Sequence, residues 1–243
     1  MKNKAYLLVT GCLLLVVLFG FDTKQQHKFT IHFNHKIGLK ELKLMDEKYI
    51  NDFGEGMIIA KFKYYISNIV LTGDGGKTAA IAASPWLIDE ADSSSKSIHI
   101  SSPFTNITSI QFQVGIDSIK NVSGVQTGSL DPLKGMFWTW NTGYIFAKLE
   151  GYSDTAKVPG HYFTYDIGGF KKGENAARKI TLQLPVSRIA NPASINIDAD
   201  ISKWFLSKYE ILISRTPICH SPGALAMQIA DNYSDMFSIG QFK

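Results

Sequence analysis

Six histidines, Cys219 and a loop that holds two of the four tryptophans are the residues of this 243-residue chain whose types can do chemistry. Imidazole is the commonest transition-metal ligand, so each histidine is weighed by where the local pattern puts it. His35 shares one face of an alternating stretch with Phe29, Ile31 and Phe33, a place for either a hydrogen-bonded core histidine or a ligand. His161 aligns with Phe163, Tyr165 and Ile167, which predicts a core-side position, whereas Asp166 points the other way with Tyr162 and Thr164. His220 follows Cys219 and precedes Ser221-Pro222, and thiolate plus imidazole suits copper or zinc. Cys219 is either a buried, inert thiol or a soft ligand. His27, before the first strand, and His32, on its polar face, read as solvated, and His99 lies in a polar strand start.

The stretch Leu130-Asp-Pro-Leu-Lys-Gly-Met-Phe-Trp-Thr-Trp-Asn-Thr-Gly-Tyr144 combines strong turn chemistry with four large aromatics and a methionine. Aromatic residues on a loop either close a core or line a site. If residues 137–141 are extended, Trp138 and Trp140 fall on the same side and form an aromatic slab. That slab is a core plug under a long loop, a binding site, or both.

The elements that must hold these residues are strands. Apolar and polar residues alternate over short spans separated by Gly, Asn, Asp and Ser clusters, the all-β pattern. Strands are predicted at residues 29–35, 59–71, 84–89, 108–114, 143–149, 162–167, 179–186 and 194–199, a spacing that suits an antiparallel β-sandwich. Thr72-Gly-Asp-Gly-Gly76 ends the long strand in a turn, and residues 92–97 form a solvated loop. Residues 121–141 form a connection longer than compact domains usually tolerate without a functional reason. Two short helices are predicted near the C-terminus. Asp200 caps one through Phe205, and Ser221-Pro222 opens another through about Tyr233 with Leu225 and Ile229 facing the sandwich. Residues 236–239 close the chain as an edge strand or a packed tail.

The totals narrow the function. A composition of 45% hydrophobic and 19% charged residues fits one domain with a sizeable core, spanning residues 27–243. Residues 1–21 have a basic start and a long apolar run, the form of a secretory signal peptide. Its removal takes Lys2 and Lys4 from a formal charge of +4, too weak a basic bias to argue for nucleic acid. Val9-Thr10-Gly11-Cys12 has the form of a lipobox, so Cys12 is a candidate lipid anchor. These features predict an exported protein, periplasmic or on the cell surface. With Cys12 in the signal, Cys219 has no internal disulfide partner, and stability must come from the core. There is no Gly-x-Ser-x-Gly elbow, Walker loop, dinucleotide fingerprint or His-Glu-x-x-His, and no nucleophile–base pair to start an enzyme.

One set of motifs carries a family likeness. Phe62-Lys-Tyr-Tyr-Ile-Ser-Asn-Ile-Val-Leu71, Val114-Gly-Ile-Asp117, Asn121-Val-Ser-Gly124, Leu130-Asp-Pro132, Met136-Phe-Trp-Thr-Trp-Asn-Thr-Gly-Tyr144, Lys148-Leu-Glu-Gly151 and Ile167-Gly-Gly-Phe170 together resemble the MbnP-like, methanobactin-associated copper-binding family. The likeness is greatest to its Bacteroidetes-type branch and runs from about Lys28 to Phe242. It implies a non-enzymatic, secreted or surface-held sandwich that binds one copper ion through histidines and a tryptophan oxidised to kynurenine by a MauG-type di-haem partner. Carried over by motif, that tryptophan is Trp138 or Trp140, with Trp138 preferred. Relatives often place histidines where this chain has Val122 and Asp166. Valine cannot bind a metal and aspartate is a hard ligand for Cu(I), which leaves His35, His161 and His220 as nitrogen donors. The alternative function is a metal-free interaction module that contacts a protein or glycan through the Trp138/Trp140 loop.

Overall fold

A computed structural model describes residues 26–81, 85–140, 143–185 and 194–240. The signal segment and Cys12 lie outside the described residues, as do Asn141, Thr142 and the end of the strand expected at 179–186. The described strands, in chain order, are β1 (His27–Ile37), β2 (Lys40–Glu41), β3 (Lys48–Ile50), β4 (Gly56–Gly73), β5 (Thr78–Ala80), β6 (Trp86–Asp89), β7 (Ser97–Ser102), β8 (Ile107–Val114), β9 (Ile145–Tyr152), β10 (Tyr162–Gly168), β11 (Arg178–Gln183), β12 (Ser194–Asp200), β13 (Ile218–Cys219) and β14 (Phe237–Ile239). Two α-helices accompany them, α1 (Ser118–Val122) and α2 (Ala224–Tyr233). One sheet runs β14-β12-β1-β2 with β7 also on β1; the other runs β11-β8-β4-β9-β10-β13, with β3, β5 and β6 along β4. Among the described residues the sandwich is antiparallel except for two parallel pairings, β1 with β12 and β10 with β13.

Strict alternation in β1 buries Phe29, Ile31, Phe33, His35 and Ile37. These residues face the inner side of the second sheet, where the Phe33 ring meets Tyr64, Phe112 and Phe237 edge-on at 6.0, 6.1 and 6.4 Å. Trp204 plugs one end of this core, 6.0 Å from Phe62 and 5.2 Å from Tyr233. Helix α2 lays Ala226, Ile229, Ala230 and Tyr233 on the same core. It starts later than the sequence predicts, after Gly223 rather than Ser221, because Gly223 at φ 147 turns the chain before the helix can begin. The expected helix after Asp200 is a single tight 3₁₀ turn, Ile201–Trp204, whose cap is as expected: the Asp200 carboxylate accepts from Ser202 N.

His35 lies inside this core and its environment makes a pH prediction. Its Nδ1–H donates to Glu90 Oε2 at 2.5 Å and its Nε2 accepts from Tyr64 OH at 2.9 Å. Burial depresses the imidazole pKa against the pull of Glu90. Glu90 is itself held below its usual range, since the bonds from His35 and Lys96 outweigh its burial. Below the ordinary histidine value of about 6.5 the unfolded chain takes up a proton that folded His35 refuses. Stability is therefore expected to fall as pH drops from about 6.5, and further below the ordinary glutamate value of about 4.5, where the unfolded chain takes up a proton that folded Glu90 binds only at its own depressed value. Denaturant midpoints across this range check it, and His35→Gln should remove the first part of the decline. A midpoint that rises on acidification through 6.5 would mean the pair is held as imidazolium and carboxylate.

Candidate functional site

The long strand β4 decides where the functional loop leaves the body. Tyr64 is paired with both Ala147 and Ile88, and Ile66 with both Val114 and Trp86. With β6 along one edge, β9 and β8 must therefore share the other edge end to end. Residues 115–144 are extruded between two strands that continue one line of pairing. The exit is fixed by a bulge between Ser67 and Val70, where Asn68 takes φ 52, Ser67 Oγ donates to Gly115 O (2.7 Å) and Asn68 Nδ2 donates to Asp117 Oδ1 (2.7 Å). Gly115 is required there at φ 112, since a side chain would run into the Phe146 ring.

The loop folds back on the second sheet, where its buried residues extend the hydrophobic core. Asp131 caps a turn over Pro132–Lys134 by accepting from Leu133 N, and Gly135 closes it in the left-handed conformation. Ile145 N donates to Met136 O and Trp138 N to Gly143 O, making a small hairpin. Tyr144 is its hub: the buried ring meets Tyr65 at 6.2 Å and Phe137 at 5.0 Å, its hydroxyl donates to Leu130 O, and its backbone N donates to Asn121 Oδ1 (2.7 Å). Leu130, Met136 and Trp138 are buried beside it.

The core-plug reading holds for Trp138, which is 4% exposed, while Trp140 is 64% exposed. Their ring centres are 5.9 Å apart, and Trp140 meets the His220 imidazole edge-on at 6.3 Å. Trp138 lies on Gly168, so closely that a Cβ there would fall 2.8 Å from its Cη2. On the same face of β10, two residues back, is Asp166. The parallel pairing Tyr165↔Cys219 makes His220 the next residue beside Asp166. Four of the six predicted site residues, Trp138, Trp140, Asp166 and His220, thus converge on one face.

The other two do not. His35 is in the core between the sheets with both ring nitrogens engaged. His161 was expected on the core side, but it belongs to the turn Pro159–His161 that precedes β10, at φ 52, and is exposed with its Nδ1 bonded to Ala156 O. It lies at the far end of β10, roughly 17 Å from Asp166 at the strand rise of ~3.3 Å per residue. Cys219 is buried, and burial pushes its thiol pKa up to about 11.

Sequence reasoning missed Lys148 and Asn121 as parts of this face. Lys148 is 8% exposed and faces Asp166 across the β9–β10 register. Its Nζ lies 2.7 Å from Asp166 Oδ1 and 2.8 Å from Glu150 Oε1. Burial alone would lower the Lys148 pKa, but the two carboxylates hold it raised and the ammonium charged. Burial lifts the Asp166 carboxyl above its usual value despite Lys148 and, more weakly, His220. Among the described residues no three His, Cys, Asp or Glu side chains are placed to hold one metal ion. The Lys-x-Glu spacing of 148–150 was visible in the sequence, but its opposition to Asp166 needs the strand register.

Beside Trp138 a cavity of about 250 Å³ opens, lined also by Asn121, Phe170, Lys171, Glu174 and Pro222 among others. Two buried donors in this region, Asn121 Nδ2 and Trp138 Nε1, have no hydrogen-bond partner.

The fold and this face define a two-sheet β-sandwich that carries its candidate site on one structured inter-strand loop laid across an outer sheet face. The chain belongs to the MbnP family, whose sequence pattern matches residues 26–221. Among solved structures it is similar to MbnP from Methylosinus trichosporium, with a TM-score of 0.59 over 83% of each chain at 14% identity, so what the two share is the fold. No curated protein matches the chain.

Proposed function

We propose that this chain is an exported, non-enzymatic copper-binding protein that takes copper as Cu(I) where His220 meets the indoles of Trp140 and Trp138. The observation that carries the reading is the succession of rings Trp138–Trp140–His220 in an MbnP-family chain, two from the long loop and one directly after β13, with Asp166 alongside. The donor set selects among metals. Zn²⁺ and Cu²⁺ take three or four N, O or S donors, which the described residues do not assemble. Cu(I) is soft and accepts fewer ligands; an imidazole with indole faces beside it supplies one nitrogen and cation–π attraction, worth ~0.5–2 kcal/mol per ring. Asp166 contributes little charge to the ion because Lys148 already neutralises it. When bound, copper at this face would be a stored or transferred cargo.

Competition against a Cu(I) chelator under reducing conditions tests the proposal. One copper per chain is expected, with binding lost in His220→Ala and weakened in Trp140→Ala. No uptake, or uptake indifferent to His220, overturns it. Intact mass of the native protein reads two further expectations, since a tryptophan oxidised to kynurenine by a di-haem partner adds about 4 Da and a lipid on Cys12 several hundred. By access, Trp140 rather than Trp138 is the indole open to a partner enzyme.

A second reading, docking of a protein or glycan, is favoured by the exposure of Trp140, Leu133, Ile119 and Val122 on this one loop. It predicts that Trp140→Ala abolishes partner capture while His220→Ala leaves it intact.

A further inference from the structure

Lys148 holds the position of a metal ion. Its residue is 8% exposed, and its ammonium lies between carboxylates of two neighbouring strands, 2.7 Å from Asp166 Oδ1 and 2.8 Å from Glu150 Oε1. A lysine stem usually carries its charge out to water, so an ammonium kept this far inside is held there by its partners.

The two contacts differ in kind. Lys148 donates a hydrogen bond to Glu150 Oε1, and Lys61 Nζ pairs with the other oxygen of that carboxylate at 2.7 Å. Asp166 Oδ1 is buried and receives no hydrogen bond, so what Lys148 supplies to it is positive charge at close range. Another cation at the same point would serve Asp166 equally well. Lys61 and Lys148 balance Glu150 and Asp166, and without Lys148 the cluster has one negative charge in excess. It would then present two carboxylates on adjacent strands around the place the ammonium left, with His220 beside Asp166 through the β10–β13 register. Those are donors for Zn²⁺, which takes carboxylate oxygen and imidazole nitrogen at about 2.0–2.2 Å.

We infer that Lys148 is the specificity-determining residue of this face: its ammonium occupies the cation position between Asp166 and Glu150 and so keeps divalent metals away from the His220–indole surface. The inference rests on the copper reading for what is protected, whereas the exclusion itself belongs to the ion pairs. A purely structural role for Lys148, holding β9 to β10, predicts a loss of stability on its replacement and nothing more. A role in exclusion predicts a gain of metal binding.

Zn²⁺ is the probe, offered to the full mature chain without copper in competition with a chromophoric zinc chelator. Lys148→Met keeps the apolar stem and ends one atom short of the ammonium, so it vacates only the cation position. This variant is expected to bind one zinc ion more than wild type, at least about tenfold tighter than the wild-type background. The gain should vanish when Asp166→Asn is added to it. Zinc should also raise the Tm of Lys148→Met and leave that of wild type unmoved, because only the variant offers the ion a site. If Lys148→Met does not fold, Lys148→Gln, which can still donate to one carboxylate, carries the same measurements. Equal zinc binding by wild type and variant, or a gain that survives Asp166→Asn, overturns the inference. Variants that stay unfolded in millimolar zinc overturn it too, since the ion then does not take the place of the ammonium. With copper absent throughout, a chain that never takes up copper still returns either result, and failure here leaves copper uptake through His220 untouched.

Discussion

Gly168→Ala is expected to lift the Trp138 indole off the sheet, and with it the Trp140–His220 face. A Cβ at position 168 would fall 2.5 Å from Tyr144 O and 2.8 Å from Trp138 Cη2. The first contact is with backbone of the hairpin that carries both tryptophans, so no side-chain rotation relieves it. Overpacking of this kind costs about 1–3 kcal/mol, or a Tm lower by several degrees in a chain of this size. The distinctive result is spectroscopic: Trp138 changes from a buried to a hydrated indole, which red-shifts emission. It should also reduce copper affinity without replacing any proposed ligand. A variant with wild-type emission and stability would show that Trp138 does not depend on the bare backbone at Gly168.

The second large effect belongs to a residue far from the face in sequence. Glu55 is 5% exposed, and its carboxylate accepts from Asn51 Nδ2, Ile213 N and Ser214 N, each at 2.8 Å. Burial alone would raise its pKa, but these donors outweigh that and hold it low. The bonds tie the turn before β4 to the segment that leads into β13, where Thr164 N donates to Pro217 O and Tyr165 OH to Thr216 O. Glu55→Ala leaves Ile213 N, a buried donor, and Ser214 N unpartnered, so a loss of about 3–5 kcal/mol is expected. Glu55→Gln, which keeps an acceptor, should lose less. Chemical denaturation checks both, and hydrogen exchange should show the amides of 213–220 opening first. An Ala variant of wild-type stability would remove Glu55 from this role.

These two positions show which parts of the molecule the amino-acid order makes legible. Local periodicity is enough for β1, whose alternating face is buried as the pattern predicts, and for β10, which places Asp166 opposite Tyr165. The length of the tryptophan loop is also a local signal. What escaped is set by pairing across long separations. Strand β13 is two residues long and has no pattern to read, yet its parallel register with β10 is what brings His220 beside Asp166. The ion pair of Lys148 with Asp166 depends likewise on the β9–β10 register. His161 was misplaced because alternation was extended one residue past the strand, into a turn where φ turns positive. Asn121 was read as a loop residue, and its buried amide is visible only once Tyr144 is placed against it.

The central claim, that one imidazole and two indoles hold the metal, has a direct reading in X-ray absorption at the copper edge of the Cu(I)-loaded chain. The account predicts a monovalent edge and a low-coordinate shell with a single imidazole nitrogen, lost in His220→Ala. A shell of several imidazoles, or one containing thiolate sulfur, would contradict it, because His35 and His161 are far from the face and Cys219 is a buried thiol.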